Sequence, residues 1–206
     1  MTFQDEIYAL ELLEIDSDYI IEKGSIPILF TAPHTMNQIR TDGSIKLSEP
    51  YTKTIALYLN KHYNVSCMIK IIDTKIDSNR DNNDEFKKEL IRFIKKNHIK
   101  LVIDLHGADK NRDFDIEFGT LNNLTADTST IKELEDNFNK NGIYNMEFNN
   151  PFKGGAITQY IYRLKDVDVI QIEINGRYRN PNHIEELEKI CKCFGSFIEK
   201  YKKYNL

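Results

Sequence analysis

Apolar residues along this chain fall into short unbroken runs, separated by longer stretches in which they recur every three or four positions. The runs 26–33 (IPILFTAP), 66–73 (SCMIKIID), 99–106 (IKLVIDLH) and 167–174 (VDVIQIEI) are rich in Ile and Val, the pattern of strands covered on both faces. Two shorter and more polar runs, 114–120 and 143–148, predict edge or peripheral strands. The intervening stretches carry helix start signals: Asn82 with Glu85, Thr130 with Glu133, and Asn182 with Glu185 each pair an N-cap acceptor with an acid three residues on. The helix after Asn82 places Phe86, Leu90, Phe93 and Ile94 on one face. The last helix aligns Ile184, Leu187, Cys191, Phe194 and Ile198. A further helix is expected to begin at Pro50 and to carry Ile55, Leu57 and Leu59 toward the sheet. This alternation predicts one three-layer α/β domain over residues 1–206, with a mostly parallel central sheet and helices on both faces, in a phosphorylase- or hydrolase-like arrangement.

Composition narrows the function classes. With 206 residues, 40% of them hydrophobic, the chain can bury one sizeable core. Its 28 basic against 32 acidic residues, a net charge of -4, include no long basic run, so a nucleic-acid partner is not expected. A small acidic ligand needs only one or two local arginines and stays compatible. No run of 18 apolar residues occurs and the N-terminus has no basic segment leading into an apolar one, which predicts a cytoplasmic protein without a membrane partner. Cys67, Cys191 and Cys193 have no metal-finger spacing and read as free buried thiols.

In sheets of this kind ligands gather at the carboxyl ends of the strands. There the sequence sets Pro33-His34, the stretch DSNRD (77–81), Asp104-Leu105-His106-Gly107, and Glu173 within an apolar strand. Catalytic zinc takes three protein ligands and leaves a position for water. His34 and His106 supply two ligands for one zinc ion per chain, and the third is expected to be a carboxylate near His34. Glu49 is the first choice, although an acid there also complements a helix dipole; Asp42 is the alternative and Asn37 a weak one. His62, His98 and His183 read as structural or surface residues. Asp109, Arg112 and Asp113 read as mostly solvated, with one of them able to orient a ligand histidine.

The ordered motifs APHT, IDSNR, VIDLHG, NPFKGG and VIQIEI resemble those of the N-formylglutamate amidohydrolase family over roughly residues 27 to 180. The resemblance implies a fold like that of zinc carboxypeptidases, aspartoacylases and cell-wall amidases. It further implies that His34 and His106 bind the metal, that Glu49 stands where a family acid opens the first helix, that Glu173 is the catalytic glutamate, and that Arg80 holds a substrate carboxylate with Asn79 beside it. Gly154 and Gly155 would let backbone N–H groups approach an anionic substrate, with Lys153 able to add charge. The chain departs from the family pattern at Thr35-Met36, in place of Ser-Gly, and at Ser78, in place of Leu.

The expected activity is zinc-dependent hydrolysis of the amide bond of an N-formyl or N-acyl acidic amino acid, or of a short peptide-like substrate. A related peptidase or amidase cutting a γ-glutamyl or cell-wall amide is the alternative, and a non-catalytic anion-binding protein without metal is a second. Local readings compete as well. Glu173 could pair with Arg177 or Arg179, Arg80 could form a surface ion pair with Asp77, Asp81 or Asp84, and the two glycines could serve only a turn.

Overall fold

The four Ile- and Val-rich runs become four adjacent parallel strands at the centre of a seven-stranded sheet. The structure is a computed structural model and describes residues 1–81 and 84–205. In chain order the elements are α1 (Phe3–Glu11), β1 (Tyr19–Glu22), β2 (Ile26–Ala32), β3 (Gln38–Ile39), β4 (Ile45–Lys46), α2 (Thr52–Tyr63), β5 (Val65–Lys70), α3 (Glu85–Lys96), β6 (Leu101–Ala108), β7 (Ile116–Gly119), α4 (Thr128–Lys140), β8 (Met146–Phe148), α5 (Ala156–Tyr162), β9 (Asp168–Asn175) and α6 (Ile184–Asn205). Sheet order is β1-β5-β2-β6-β9-β7-β8. β1 joins antiparallel to β5, β7 joins antiparallel to β9, and β8 runs parallel to β7.

Because side chains alternate across a strand, each central run feeds two cores. Phe30, Ile103 and Ile170 pack with Ile55 of α2, Phe138 of α4 and Phe194 of α6. Leu29, Met68, Val102 and Val169 pack with Phe86 and Leu90 of α3 and Ile157 and Ile161 of α5. The chain is therefore a single α/β domain with a mostly parallel sheet between helices. No described helix is long and apolar enough to cross a membrane. All three cysteines are free and buried.

Several helix starts differ from expectation. Pro50 lies outside α2, because Tyr51 takes a left-handed conformation (φ 67°) and the helix begins at Thr52, whose hydroxyl donates to the Glu49 carbonyl at 2.8 Å. Thr130 sits inside the first turn of α4, which opens after Asp127. Asn82 lies outside the described residues, and Asp84 caps α3 by accepting the Phe86 N–H at 3.2 Å. Asn182 belongs to a short 3-10 turn, Pro181–His183, that runs directly into α6. α1, the edge strand β1 and the β3–β4 hairpin were not expected. α1 carries a capping box in which Thr2 and Asp5 bond each other's backbone N–H groups.

Phe194 is fully buried and meets both Phe30 and Phe138 edge-on, with ring centroids 5.4 Å apart in each pair. Phe194→Ala should lower the unfolding free energy by about 3–5 kcal/mol in denaturant titration. A loss below about 1 kcal/mol would show that this face of the sheet is not the main core.

Candidate metal centre and active site

Strand periodicity sets which side chains meet. On β6, Val102, Asp104 and His106 share one face, and on β9 so do Val169, Gln171 and Glu173. That is the face covered by α3 and α5. His106 and Glu173 are direct cross-strand partners. β2 ends at Ala32, and Pro33 then delivers His34 to the same rim. The connection back to α2 is tied there by the Glu49 N–H, which donates to the His34 carbonyl at 2.7 Å.

His34, Glu49 and His106 are all buried, with potential ligand atoms within 4.8 Å of one another. Glu49 lies between the two rings: its Oε1 is 3.1 Å from His34 Nδ1 and its Oε2 is 3.2 Å from His106 Nδ1. Ligand atoms held about 2.0–2.1 Å from one tetrahedral ion stand roughly 3.3 Å apart, so these separations suit a shared cation. Apart from that 3.2 Å contact with His106, Glu49 Oε2 is buried without a hydrogen-bond partner among the described residues, as suits a ligand oxygen facing an ion. The donor set, two imidazoles and a carboxylate, fits zinc.

Behind each ring stands a second carboxylate. Asp77 Oδ1 lies 2.7 Å from His34 Nε2, and Asp104 Oδ2 lies 3.0 Å from His106 Nε2. Donation of each Nε2–H to its aspartate would leave each Nδ1 to coordinate a metal at the centre. Thr31 holds Asp104 by a 2.5 Å hydrogen bond. Burial opposes the charge on Glu49, but the two imidazoles outweigh it and keep the carboxyl well below its ordinary value. Burial likewise opposes the His106 cation, and Asp104 and Glu49 outweigh it, holding the ring well above its ordinary value.

The β3–β4 hairpin adds two cations that sequence periodicity did not reveal. Arg40 bonds Asp77 at 2.8 Å through Nε, and Lys46 bonds Glu49 Oε1 at 2.5 Å. Asp42, the alternative third ligand, lies on the hairpin's exposed turn and pairs with Arg80 at 2.9 Å, away from both histidines. Asn37 accepts the Ser48 N–H. Arg80 is half exposed on the wall of a cavity of about 480 Å3 that also holds His34, His106 and Glu173. Its ion pair is with Asp42, not with Asp77, Asp81 or Asp84.

Glu173 is buried, and Gln171 Nε2 donates to its Oε1 at 2.9 Å. Burial raises its carboxyl, opposed by the His106 cation and reinforced by Glu49. Neither suggested arginine pairs with it: Arg177 meets Asp115, and Arg179 donates to the carbonyls of Ile174, Pro50 and Ala108. Gly155 gives its N–H to Gln171 Oε1 at 2.7 Å, so that N–H is already spent inside the protein. A Cβ on Gly155 would collide with the Asn79 side chain, which itself bonds Gln171 and the Ile157 N–H. Asn79 and Gly155 thus lock two loops together around Gln171. Gly154 takes φ 112° beside them, a conformation that favours glycine.

Sequence reasoning also missed Glu117, which sits directly opposite Glu173 on β7. Its Oε1 accepts the Phe152 N–H at 2.6 Å, and its Oε2 is buried without a partner among the described residues. Burial first, then the Glu173 charge, push the Glu117 carboxyl up to about 7 against the pull of the Phe152 N–H. The alternation of Glu117 with Ile116 and Phe118 was the available signal, masked by the shortness of the strand.

Comparison with known proteins bears on the family and the fold. The sequence model of the N-formylglutamate amidohydrolase family matches residues 76–178, half of the chain. The fold resembles a solved N-formylglutamate amidohydrolase from Ralstonia eutropha JMP134, with TM-score 0.67, 14% identity, and coverage of 90% of this chain and 98% of that one. It also resembles a bacteriophage poly-gamma-glutamate hydrolase, with TM-score 0.63, 13% identity and 93% of each chain covered. A gene product of Agrobacterium tumefaciens aligns with TM-score 0.69 and 13% identity over 91% of this chain and 94% of that one. No curated protein matches the sequence.

The raised Glu117 carboxyl has a consequence for stability. An acid whose value is raised on folding stabilises the fold in its protonated form, fully below its ordinary value near 4.5 and no longer once pH has risen through about 7. Glu117→Gln fixes the neutral form. Its melting temperature relative to wild type should therefore rise between pH 5 and pH 8, and a constant difference across that window would remove Glu117 from the titrating groups.

Proposed function

The chain belongs to the N-formylglutamate amidohydrolase family, and from that premise we propose that it is a zinc-dependent hydrolase of the amide bond in an N-formyl or N-acyl acidic amino acid. The observation that carries this reading is the buried cluster of His34, Glu49 and His106 beside a fourth buried acid, Glu173. The first three would hold the ion. When bound, zinc would polarise the amide carbonyl and ease deprotonation of the water that attacks it.

Glu173 is the general base. Its burial favours the protonated form, so it accepts the proton that water loses on adding to the amide carbon. The same carboxyl then returns that proton to the nitrogen as the carbon–nitrogen bond breaks, releasing a carboxylic acid and an amine. Gln171 keeps the Glu173 carboxyl in one orientation through this exchange. Arg80 is the carboxylate anchor. A guanidinium fork grips a carboxylate with two parallel hydrogen bonds. Asp42 meets Arg80 Nη1 at 2.9 Å in an exposed ion pair, which a substrate carboxylate can displace cheaply. Lys153 on the loop above and Arg40 on the hairpin add positive potential to the same cavity.

Metal content and kinetics test the assignment together. His34→Ala and His106→Ala should each lose stoichiometric zinc, and full zinc in both would end the metal reading. Glu173→Gln should keep zinc and melting temperature while kcat falls by about 10²-fold or more. Wild-type protein that holds no zinc and hydrolyses no N-acyl amino acid would instead support a non-catalytic anion-binding protein.

Arg80→Lys should reduce kcat/KM for N-acylglutamate by roughly tenfold or more, with a much smaller loss for the matching carboxamide. Equal losses for the two substrates would make Arg80 a structural residue.

A further inference from the structure

The catalytic cavity is one of two depressions that meet at Glu49. The second, of about 570 Å3, lies beyond Glu49 and extends over the ends of β6 and β9; Lys46 and Glu49 wall both. If a substrate placed its amide at the metal cluster and its amino-acid carboxylate on Arg80, an acyl part directed past Glu49 would enter this second space. A formyl group, one carbon and one oxygen, occupies almost none of it.

The charge of the second depression is specific. Its cations are Lys46, Lys110 and Arg179, and its acids are Glu49 and Asp109. Glu49 belongs to the metal cluster, and Asp109 Oδ1 accepts the Asn111 N–H at 2.8 Å. Arg179 is buried, and its three hydrogen bonds go to neutral carbonyls at 3.0, 2.6 and 3.0 Å, not to a carboxylate. A guanidinium has five N–H donors, so two are unspent. Burial works against its charge, and the acids that oppose this, Glu49, Glu173 and more weakly Glu11, act on it from a distance without pairing with it. Neither Arg179 nor Lys110 makes an ion pair among the described residues. Burying a guanidinium without a paired anion is costly, and the carbonyls satisfy its hydrogen bonds while leaving its charge in place.

We propose that this depression is an acyl-side anion subsite, so that the preferred substrate carries a second carboxylate at the end of its acyl group. Lys110, at the rim, contacts that carboxylate, and Arg179 beneath it supplies fixed positive potential. The substrate class is then a dicarboxylic acyl amide of an acidic amino acid, in which the scissile bond lies between two anionic ends. This inference rests on the amidase reading above and adds the identity of the acyl side.

N-glutaryl-L-glutamate and N-pentanoyl-L-glutamate share chain length and differ by one carboxylate, so their kcat/KM ratio reads the subsite directly. The wild-type enzyme should prefer the glutaryl compound by tenfold or more, and Lys110→Met should narrow the preference to under threefold. Glutarate alone should raise the melting temperature of wild-type protein and not that of Lys110→Met, a readout that needs no turnover. Equal rates on both compounds, or a formyl compound as the best of the three, would overturn the subsite while leaving the amidase reading intact. Hydrolysis of none of them, with glutarate binding that depends on Lys110, would uphold the subsite and overturn the amide substrate. Absence of both turnover and glutarate binding would overturn the two together.

Discussion

A carboxylate held between two imidazoles, each backed by a further carboxylate, is the interaction on which the rest of this structure depends. Asp77, His34, Glu49, His106 and Asp104 form one buried chain of contacts between 2.7 and 3.2 Å. Such a row is unfavourable unless every charge has a partner, because desolvation of each ion costs several kcal/mol. The His106 cation balances part of it, together with Arg40 at one end and Lys46 near the middle. A divalent cation held by His34, Glu49 and His106 would take over that balancing role.

The fold explains how such a cluster can be assembled. Parallel strands end together, so residues far apart in sequence arrive on one rim without long loops. The apolar positions of β6 and β9 fill two cores along most of each strand. Only near the carboxyl ends does the α3 and α5 face change to Asp104, His106, Gln171 and Glu173. From there the loops around Asp77, Glu49 and Phe152 cover the sheet in place of helices. Gln171 joins three of these parts, since it touches Glu173, Gly155 and Asn79. Glu173, the glycine loop and the Arg80 loop are therefore coupled through one amide side chain.

How much of this was legible in the sequence follows from periodicity. The central strands were visible because burial on both faces leaves continuous Ile and Val runs, and His106 and Glu173 stood out as polar residues at their ends. Glu49 was visible as an acid at the mouth of an expected helix and as the counterpart of a family acid that opens the first helix. Its partnership with His34 depends on the turn that Tyr51 permits. Arg40 and Lys46 were not visible, because two-residue strands carry no period and their tie to the site is an ion pair across the fold. Glu117 was obscured by the antiparallel insertion of β7 beside β9, a pairing that local sequence does not encode. The role expected for the Gly155 N–H was also out of reach, because its acceptor, Gln171, lies 16 residues on.

The most direct test of the central claim is zinc K-edge X-ray absorption of the protein loaded with one equivalent of zinc. Two imidazole nitrogens and a carboxylate oxygen at about 2.0–2.1 Å, with the multiple scattering that marks histidine rings, is the predicted first coordination shell. A shell containing sulfur at about 2.3 Å, or one of oxygens without histidine scattering, would contradict it and return the buried cluster to a purely structural role.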